Sequence, residues 1–142
     1  MRIVLDTNVL LISIPTISKY RVIFNAIIEH KIELVISNEI LSEYIEKIEE
    51  KSNQRIAINL AELLTSHRNI LRIEPYFKWS LITQDYDDNK FVDVAIACDA
   101  DYLVTNDKHF NELKSIEFPT VNLISANEFI KVLLNDQPKP QP

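Results

Sequence analysis

The sequence contains no glycine among its 142 residues. The phosphate-binding loops of P-loop nucleotidases and of dinucleotide-binding folds require glycine at fixed positions, because their backbone approaches the phosphates closely. Both of these classes of nucleotide site are therefore excluded. The sequence also has a single cysteine, Cys98, which has no partner for an intrachain disulfide. This composition fits a reducing compartment.

Long apolar runs are missing as well. No run approaches the roughly 20 residues of a membrane helix, and Asp6 interrupts the first apolar stretch before a signal peptide's apolar region could form. We therefore expect a cytoplasmic protein without a membrane span. The net charge of -6 argues against a broad basic surface for nucleic acid. A polyanionic partner would require local basic patches or bound cations.

Short apolar runs alternate with segments of helical period, an arrangement typical of buried parallel strands joined by helices. The runs are at 3–5, 34–36, 70–71, 103–104 and 121–124. Helical periodicity covers 20–28, 40–48, 56–64 and about 89–99. A short helix is expected after Asp107. A last helix is expected to begin at the capping box Ser125–Glu128. The alternation predicts an α/β fold with a mainly parallel sheet and right-handed crossovers. We expect one domain over residues 1–134 and a proline-rich, disordered tail over residues 135–142.

Two acids follow predicted strands directly: Asp6 follows the first strand and Asp107 a later one. In an open parallel sheet, functional groups gather at the carboxyl ends of the strands. Small polar side chains beside these acids can orient carboxylates or water, and the candidates for this supporting role are Asn8, Thr105 and Asn106. Helix capping is the alternative for either acid. The repetition of the same arrangement at two strand ends favours a site.

Further acids are candidates for the same site. Glu43 lies at the border of the apolar stripe of the second predicted helix, although a solvated helix face is the simpler explanation for its acidic neighbours. Asp85, Asp87 and Asp88 repel one another within four residues, and a bound cation would relieve that repulsion; one of them is also expected to cap a helix. Asp93 lies inside an apolar helix, where an acid must reach solvent or a partner.

A site built from carboxylates alone selects hard cations, Mg²⁺ or Mn²⁺. Such ions lie between carboxylates and a phosphate, activate water and neutralise phosphoryl charge. A metal site of this kind would reconcile an acidic protein with a polyanionic substrate.

Four segments carry a resemblance to a known family: MRIVLDTNVL at 1–10, SNEILSE at 37–43, DNKF at 88–91 and DYLVTNDKHF at 101–110. Together, over about residues 1–130, they resemble the PIN-domain ribonucleases, and most closely the branch of toxins from type II toxin–antitoxin pairs. The resemblance implies a three-layer α/β/α sandwich and Mg²⁺- or Mn²⁺-dependent hydrolysis of RNA. It also implies a homodimer and an antitoxin protein as partner.

The family's catalytic acids fall on Asp6, Glu43, Asp88 and Asp107, and we expect Asp6, Asp88 and Asp107 to bind the metal. Asn8 and Thr105 match the family's polar support, and Asn106 and Asp93 are added here as supporting candidates from the sequence pattern. The family's usual glycines before the last strand and before the final acid are absent, and Ala100 and Asn106 stand in those regions. The alternative is a catalytically silent PIN-fold module that binds RNA or protein. Retention of all four acids argues against it.

Overall fold

The computed structural model describes residues 1–135, which form a single five-stranded parallel sheet in the order β3-β2-β1-β4-β5. The strands are β1 (Arg2–Leu5), β2 (Glu33–Ile36), β3 (Ile70–Arg72), β4 (Tyr102–Val104) and β5 (Leu123–Ile124). The parallel sheet predicted from the apolar runs is thus confirmed, with β5 shorter than its predicted run.

Helices connect successive strands, which gives the three-layer α/β/α arrangement. They are α1 (Thr7–Ser13), α2 (Arg21–Ile28), α3 (Asn38–Lys51), α4 (Gln54–Ser66), α5 (Asn89–Ala97) and α6 (Ala126–Asn135). A 3-10 segment, Tyr86–Asp88, precedes α5. A second one, Lys108–Ser115, follows β4. None of the helices in the described part of the chain has the length and apolarity needed to cross a bilayer.

The strand order creates a topological switch point between β1 and β4. From β1 the chain moves outward to β2 and β3 on one side, and from β4 it moves to β5 on the other. Right-handed crossovers then place the two sets of connecting helices on opposite faces. Crevices at the carboxyl ends of such a strand pair are where ligands bind in open α/β sheets. Asp6 and Thr105 directly follow these two strands.

The core beneath this edge is apolar and closely packed. All three apolar residues of β1, Ile3–Leu5, are fully buried. The Tyr44 hydroxyl of α3 donates a 2.5 Å hydrogen bond to the carbonyl of Leu5, and the whole side chain is buried. Because buried polar groups require partners, this bond fixes α3 against the end of β1, one residue before Asp6.

Among residues 1–135 of this glycine-free chain, three take positive φ: His30, Ser80 and Asp99. Asp99 follows the end of α5 with a φ of 51°, the place where a helix usually ends in a left-handed glycine. Before β4 it is therefore Asp99, and not Ala100, that takes the conformation glycine favours, and its short polar side chain tolerates it. Asn106 is not among the residues with positive φ, so its position does not require glycine.

The predicted domain end at residue 134 falls within α6, whose last residue is Asn135. The remainder of the predicted proline-rich tail, residues 136–142, lies outside the described residues.

Candidate active site

One hydroxyl group ties together the ends of β1 and β4. Thr105 Oγ1 donates a 2.8 Å hydrogen bond to Asp6 Oδ2 and accepts a 3.0 Å hydrogen bond from the backbone N–H of Asp107. The backbone N–H of Asp6 donates in turn to the carbonyl of Val104. The two acids that the sequence places after neighbouring strands are thus held in one network, and Thr105, a predicted supporting residue, lies between them.

Asp6 is an acid buried among other acids. It is 6% exposed, and burial raises its pKa to about 6, with Asp107 and Glu43 adding to the rise and the Thr105 hydrogen bond opposing it. Asp6 occupies the N-cap position of α1 but its side chain makes no capping hydrogen bond. Capping therefore does not explain this carboxylate. Asp107 does cap the following 3-10 segment, by accepting from the His109 N–H at 2.9 Å.

Among the three acids of the 85–88 cluster, Asp88 is the one whose pKa is raised by burial and by the acids that follow β1 and β4. Asp85 caps the 3-10 segment through the Asp87 N–H, and Asp87 pairs with Lys90. Asp88 Oδ2 is buried without a hydrogen-bond partner in the described chain. Burial raises the Asp88 pKa to about 7, with Asp85, Asp107 and Asp6 adding to the rise. The charges of Asp6, Asp88 and Asp107 thus act on one another.

Glu43 reaches the cluster from α3, and both of its oxygens have partners. The hydroxyl of Thr7 donates to Oε2, and the Lys90 ammonium lies 2.8 Å from Oε1. Glu43 also adds to the rise in the pKa of Asp6. The structure therefore brings all four predicted catalytic acids into one electrostatic cluster, although Glu43 belongs to it through Thr7 and Lys90.

His109 borders the same cluster. The sequence places it close to Asp107, but it was not among the predicted catalytic or metal-binding residues. Its Nδ1 lies 3.4 Å from Asp107 Oδ1 and 3.7 Å from Asp88 Oδ2. Within residues 1–135, the one group of three metal-ligating side chains with ligand atoms all within 4.8 Å of each other is Asp85, Asp88 and His109. Of the three predicted metal ligands, Asp88 belongs to this group, whereas Asp6 and Asp107 do not. The signal available in the sequence was its spacing: His109 is the second residue after Asp107, where a capping carboxylate meets the backbone N–H.

Three predicted supporting residues lie elsewhere. Asn8 is exposed in the first turn of α1. Asn106 is also exposed, and its Oδ1 accepts from the N–H of Ala126 at 3.0 Å, so it stabilises the start of α6 instead of the acids. Asp93 Oδ1 accepts from the N–H of Trp79 at 3.0 Å, which ties α5 to the 75–80 segment. The structure does not join these side chains to the four acids.

The donor set fits a hard divalent cation. The acids offer oxygen ligands, the type that Mg²⁺ and Mn²⁺ prefer. The buried Asp88 Oδ2 lacks a partner, and an unpaired buried carboxylate oxygen is costly without a cation or a donor. The pKa values of Asp6 and Asp88 are raised partly by neighbouring acids, and a bound cation would reverse that effect.

Comparisons with known proteins agree with this architecture. The model of a family described as PIN domain matches residues 2–109, whereas a search of curated proteins finds no match. Among solved structures, the chain is similar to one in VapBC2 from Rickettsia felis bound to a DNA fragment from their promoter, with a TM-score of 0.61 and 19% identity over 88% of this chain and 98% of that one. It is also similar to one in VapBC-1 from nontypeable Haemophilus influenzae, with a TM-score of 0.58 and 23% identity over 89% of this chain and 99% of that one. At these identities the two structures show a shared fold.

Proposed function

Because this chain belongs to the PIN-domain family, we propose that it is an endoribonuclease that hydrolyses RNA phosphodiester bonds with Mg²⁺ or Mn²⁺. The observation that carries the proposal is the buried, unpartnered oxygen of Asp88, a residue whose pKa is raised by burial and by the acids that follow β1 and β4. A cluster of like charges lowers the stability of the fold. Such a cluster at a topological switch point therefore indicates a ligand-binding site.

In this proposal Asp6, Asp88 and Asp107 hold the divalent ion. The ion, when bound, supplies positive charge to the scissile phosphate and lowers the pKa of water. Thr105 keeps Asp6 and the backbone of Asp107 in fixed relative positions. Glu43, whose carboxylate is held by Thr7 and Lys90, orients the attacking water.

His109 lies beside the proposed ion. Its Nδ1 is within 4 Å of both Asp88 and Asp107, and with Asp85 and Asp88 it forms a group of three clustered ligand side chains. The imidazole nitrogen is therefore a further candidate ligand in this proposal. Cleavage requires ionised Asp6 and Asp88, because metal ligands must be deprotonated.

We further propose that the chain is the toxin of a type II toxin–antitoxin pair. The sequence resembles that branch of the family, and the two solved structures that share its fold are VapBC structures. On this basis the expected partners are an antitoxin protein and a second copy of the chain, and the cytoplasm is the expected site of action.

The test is incubation of the purified chain with single-stranded and total RNA in Mn²⁺, with and without a chelator. We expect cleavage that the chelator abolishes and that the Asp6→Asn variant loses at least about 100-fold, because removal of one charge-stabilising group costs a reaction of this kind about that much. Glu62→Gln, on the exposed face of α4, removes the same charge and should cut at the wild-type rate. Cleavage by Asp6→Asn at the wild-type rate would refute the site. Absence of Mn²⁺ binding at millimolar concentration would favour the catalytically silent binding module.

A further inference from the structure

Lys90 is an unusual lysine because its ammonium group is placed inside the acidic cluster. Its side chain is 9% exposed, whereas lysine is almost never buried unless it is paired. Nζ lies 2.8 Å from Glu43 Oε1 and 3.1 Å from Asp87 Oδ1. One positive charge thus bridges an acid of α3 and an acid of the turn before α5.

Glu43 is fixed from two sides by this arrangement. Thr7, the first residue of α1, donates to Oε2, while Lys90 holds Oε1. A carboxylate with a donor on each oxygen has one preferred orientation. The partners come from α1, the helix after β1, and α5, the helix before β4, so Glu43 is held by the two helices that flank the strand ends carrying Asp6 and Asp107.

The acids thereby fall into two groups with different neutralising partners. Glu43 and Asp87 share the Lys90 ammonium. Asp88 has no cation closer than the His109 ring, and its Oδ2 has no hydrogen-bond partner in the described chain. Asp6 is bound by the neutral hydroxyl of Thr105. On the proposed function the divalent ion is held by Asp6, Asp88 and Asp107, whereas a protein cation is already present at Glu43.

We propose that Lys90 takes the place of a second divalent cation, so that the nuclease works with one metal ion while the Lys90 ammonium neutralises and positions Glu43. This inference rests on the proposed function. Nucleases that use two metals hold the ions about 3.5–4 Å apart between shared acids. An ion ligated by Glu43 Oε1 would lie about 2 Å from that oxygen, where the ammonium at 2.8 Å from the same oxygen would repel it. Lys90 is in this sense a positioning residue.

The test measures how many Mn²⁺ ions bind per chain, by calorimetry and by electron paramagnetic resonance of free Mn²⁺, in the wild type and three variants. Wild type, Lys90→Arg and the exposed α6 variant Lys131→Met should each bind one ion. Lys90→Met should bind two, because Glu43 Oε1 and Asp87 Oδ1 then lose the ammonium that lies 2.8 Å and 3.1 Å from them. The rate at which Lys90→Met cleaves RNA should be at least about 10-fold below the wild-type rate at low Mn²⁺. This rate should then rise with the square of the Mn²⁺ concentration, because two ions must bind.

Two ions in the wild type, or a single ion in Lys90→Met, would overturn the inference. Circular dichroism and thermal melting confirm that each variant is folded, and Lys90→Gln replaces Lys90→Met if the methionine variant does not fold. A wild type that binds no Mn²⁺ would refute the proposed function itself. A wild type that binds one ion and cuts RNA, together with one ion in Lys90→Met, would refute the role of Lys90 alone.

Discussion

Replacement of Asp6 by asparagine should stabilise the metal-free protein while it removes activity. Asp6 is 6% exposed, and burial together with Asp107 and Glu43 raises its pKa from the ordinary 3.8 to about 6. A pKa difference of one corresponds to about 1.4 kcal/mol, so ionised Asp6 lowers the free energy of unfolding by about 3 kcal/mol above pH 7. Asparagine carries no charge, and its oxygen can still accept from Thr105. We expect the free energy of unfolding of Asp6→Asn to exceed that of the wild type by up to about 3 kcal/mol at pH 8 in the presence of a chelator.

The pH dependence gives the sign of this effect. The folded-state pKa of Asp6 is raised, so the fold prefers the protonated acid, and wild-type stability is lost as the pH rises through about 6. Below the unfolded pKa of 3.8 the penalty disappears. The difference between Asp6→Asn and wild type should therefore shrink from about 3 kcal/mol at pH 8 to less than about 1 kcal/mol at pH 4.

Denaturant titrations of wild type, Asp6→Asn and Glu62→Gln at pH 4, 6 and 8 measure these differences directly. Glu62→Gln makes the same change in net charge at an exposed helix position, and it should stay within about 0.5 kcal/mol of wild type. Mn²⁺ should then raise wild-type stability by mass action and leave Asp6→Asn unchanged. An Asp6→Asn variant that is no more stable than wild type at pH 8 would refute the burial and charge argument.

Two further predictions concern the same cluster. The pKa values of Asp6 and Asp88 are raised to about 6 and about 7, and metal ligands must be ionised. At pH 6, protonation of Asp6 and of Asp88 should therefore lower the Mn²⁺ affinity by factors of about 2 and about 11. Calorimetry should find Mn²⁺ binding about 20-fold weaker at pH 6 than at pH 8, and equal affinity would contradict the shifts. Thr105→Val removes the donor to Asp6 and the acceptor for the Asp107 N–H, so it should lower the free energy of unfolding by about 1–3 kcal/mol and weaken Mn²⁺ binding at pH 7. Thr65→Val, at an exposed site on α4, is the control, and equal behaviour of the two variants would show that the Thr105 network is unimportant.

The sheet was predictable because each of its strands is a short apolar run, and the chain alternates these runs with periodic helices. Helix α1 was not predicted, because Thr7–Ser13 contains the branched apolar run of Val9 to Ile12, which reads equally well as a strand. In the structure α1 packs on α2 and α3. Tertiary contacts of this kind decide between helix and strand for short apolar segments, and they are invisible in a single sequence.

The site was predictable to the level of loops, and less so to the level of side chains. Position after a parallel strand correctly brought Asp6 and Asp107 to one edge, because that edge is a property of the sheet. The same reasoning could not predict the hydrogen-bond partners of the Asn106 and Asp93 side chains. These side chains accept from the backbone N–H groups of Ala126 and Trp79, respectively. Backbone donors compete for short polar side chains, and only the three-dimensional placement of those donors decides which carboxylates remain free.

The charge balance of the pocket has a consequence for how an acidic nuclease would meet RNA. Charges further away than about 8 Å are largely screened at physiological salt, so the net charge of -6 matters less than the acids beside the scissile phosphate. Those acids outnumber the Lys90 ammonium that pairs with them. Without a divalent ion the pocket repels a phosphodiester, and with one the repulsion is reduced where the phosphate must lie. Acidification protonates Asp88 and Asp6, which weakens the repulsion and also displaces the ion. Under the proposed function, acidification therefore has two opposed effects on RNA binding and lowers the rate of cleavage, since the same carboxylates carry the repelling charge and hold the ion.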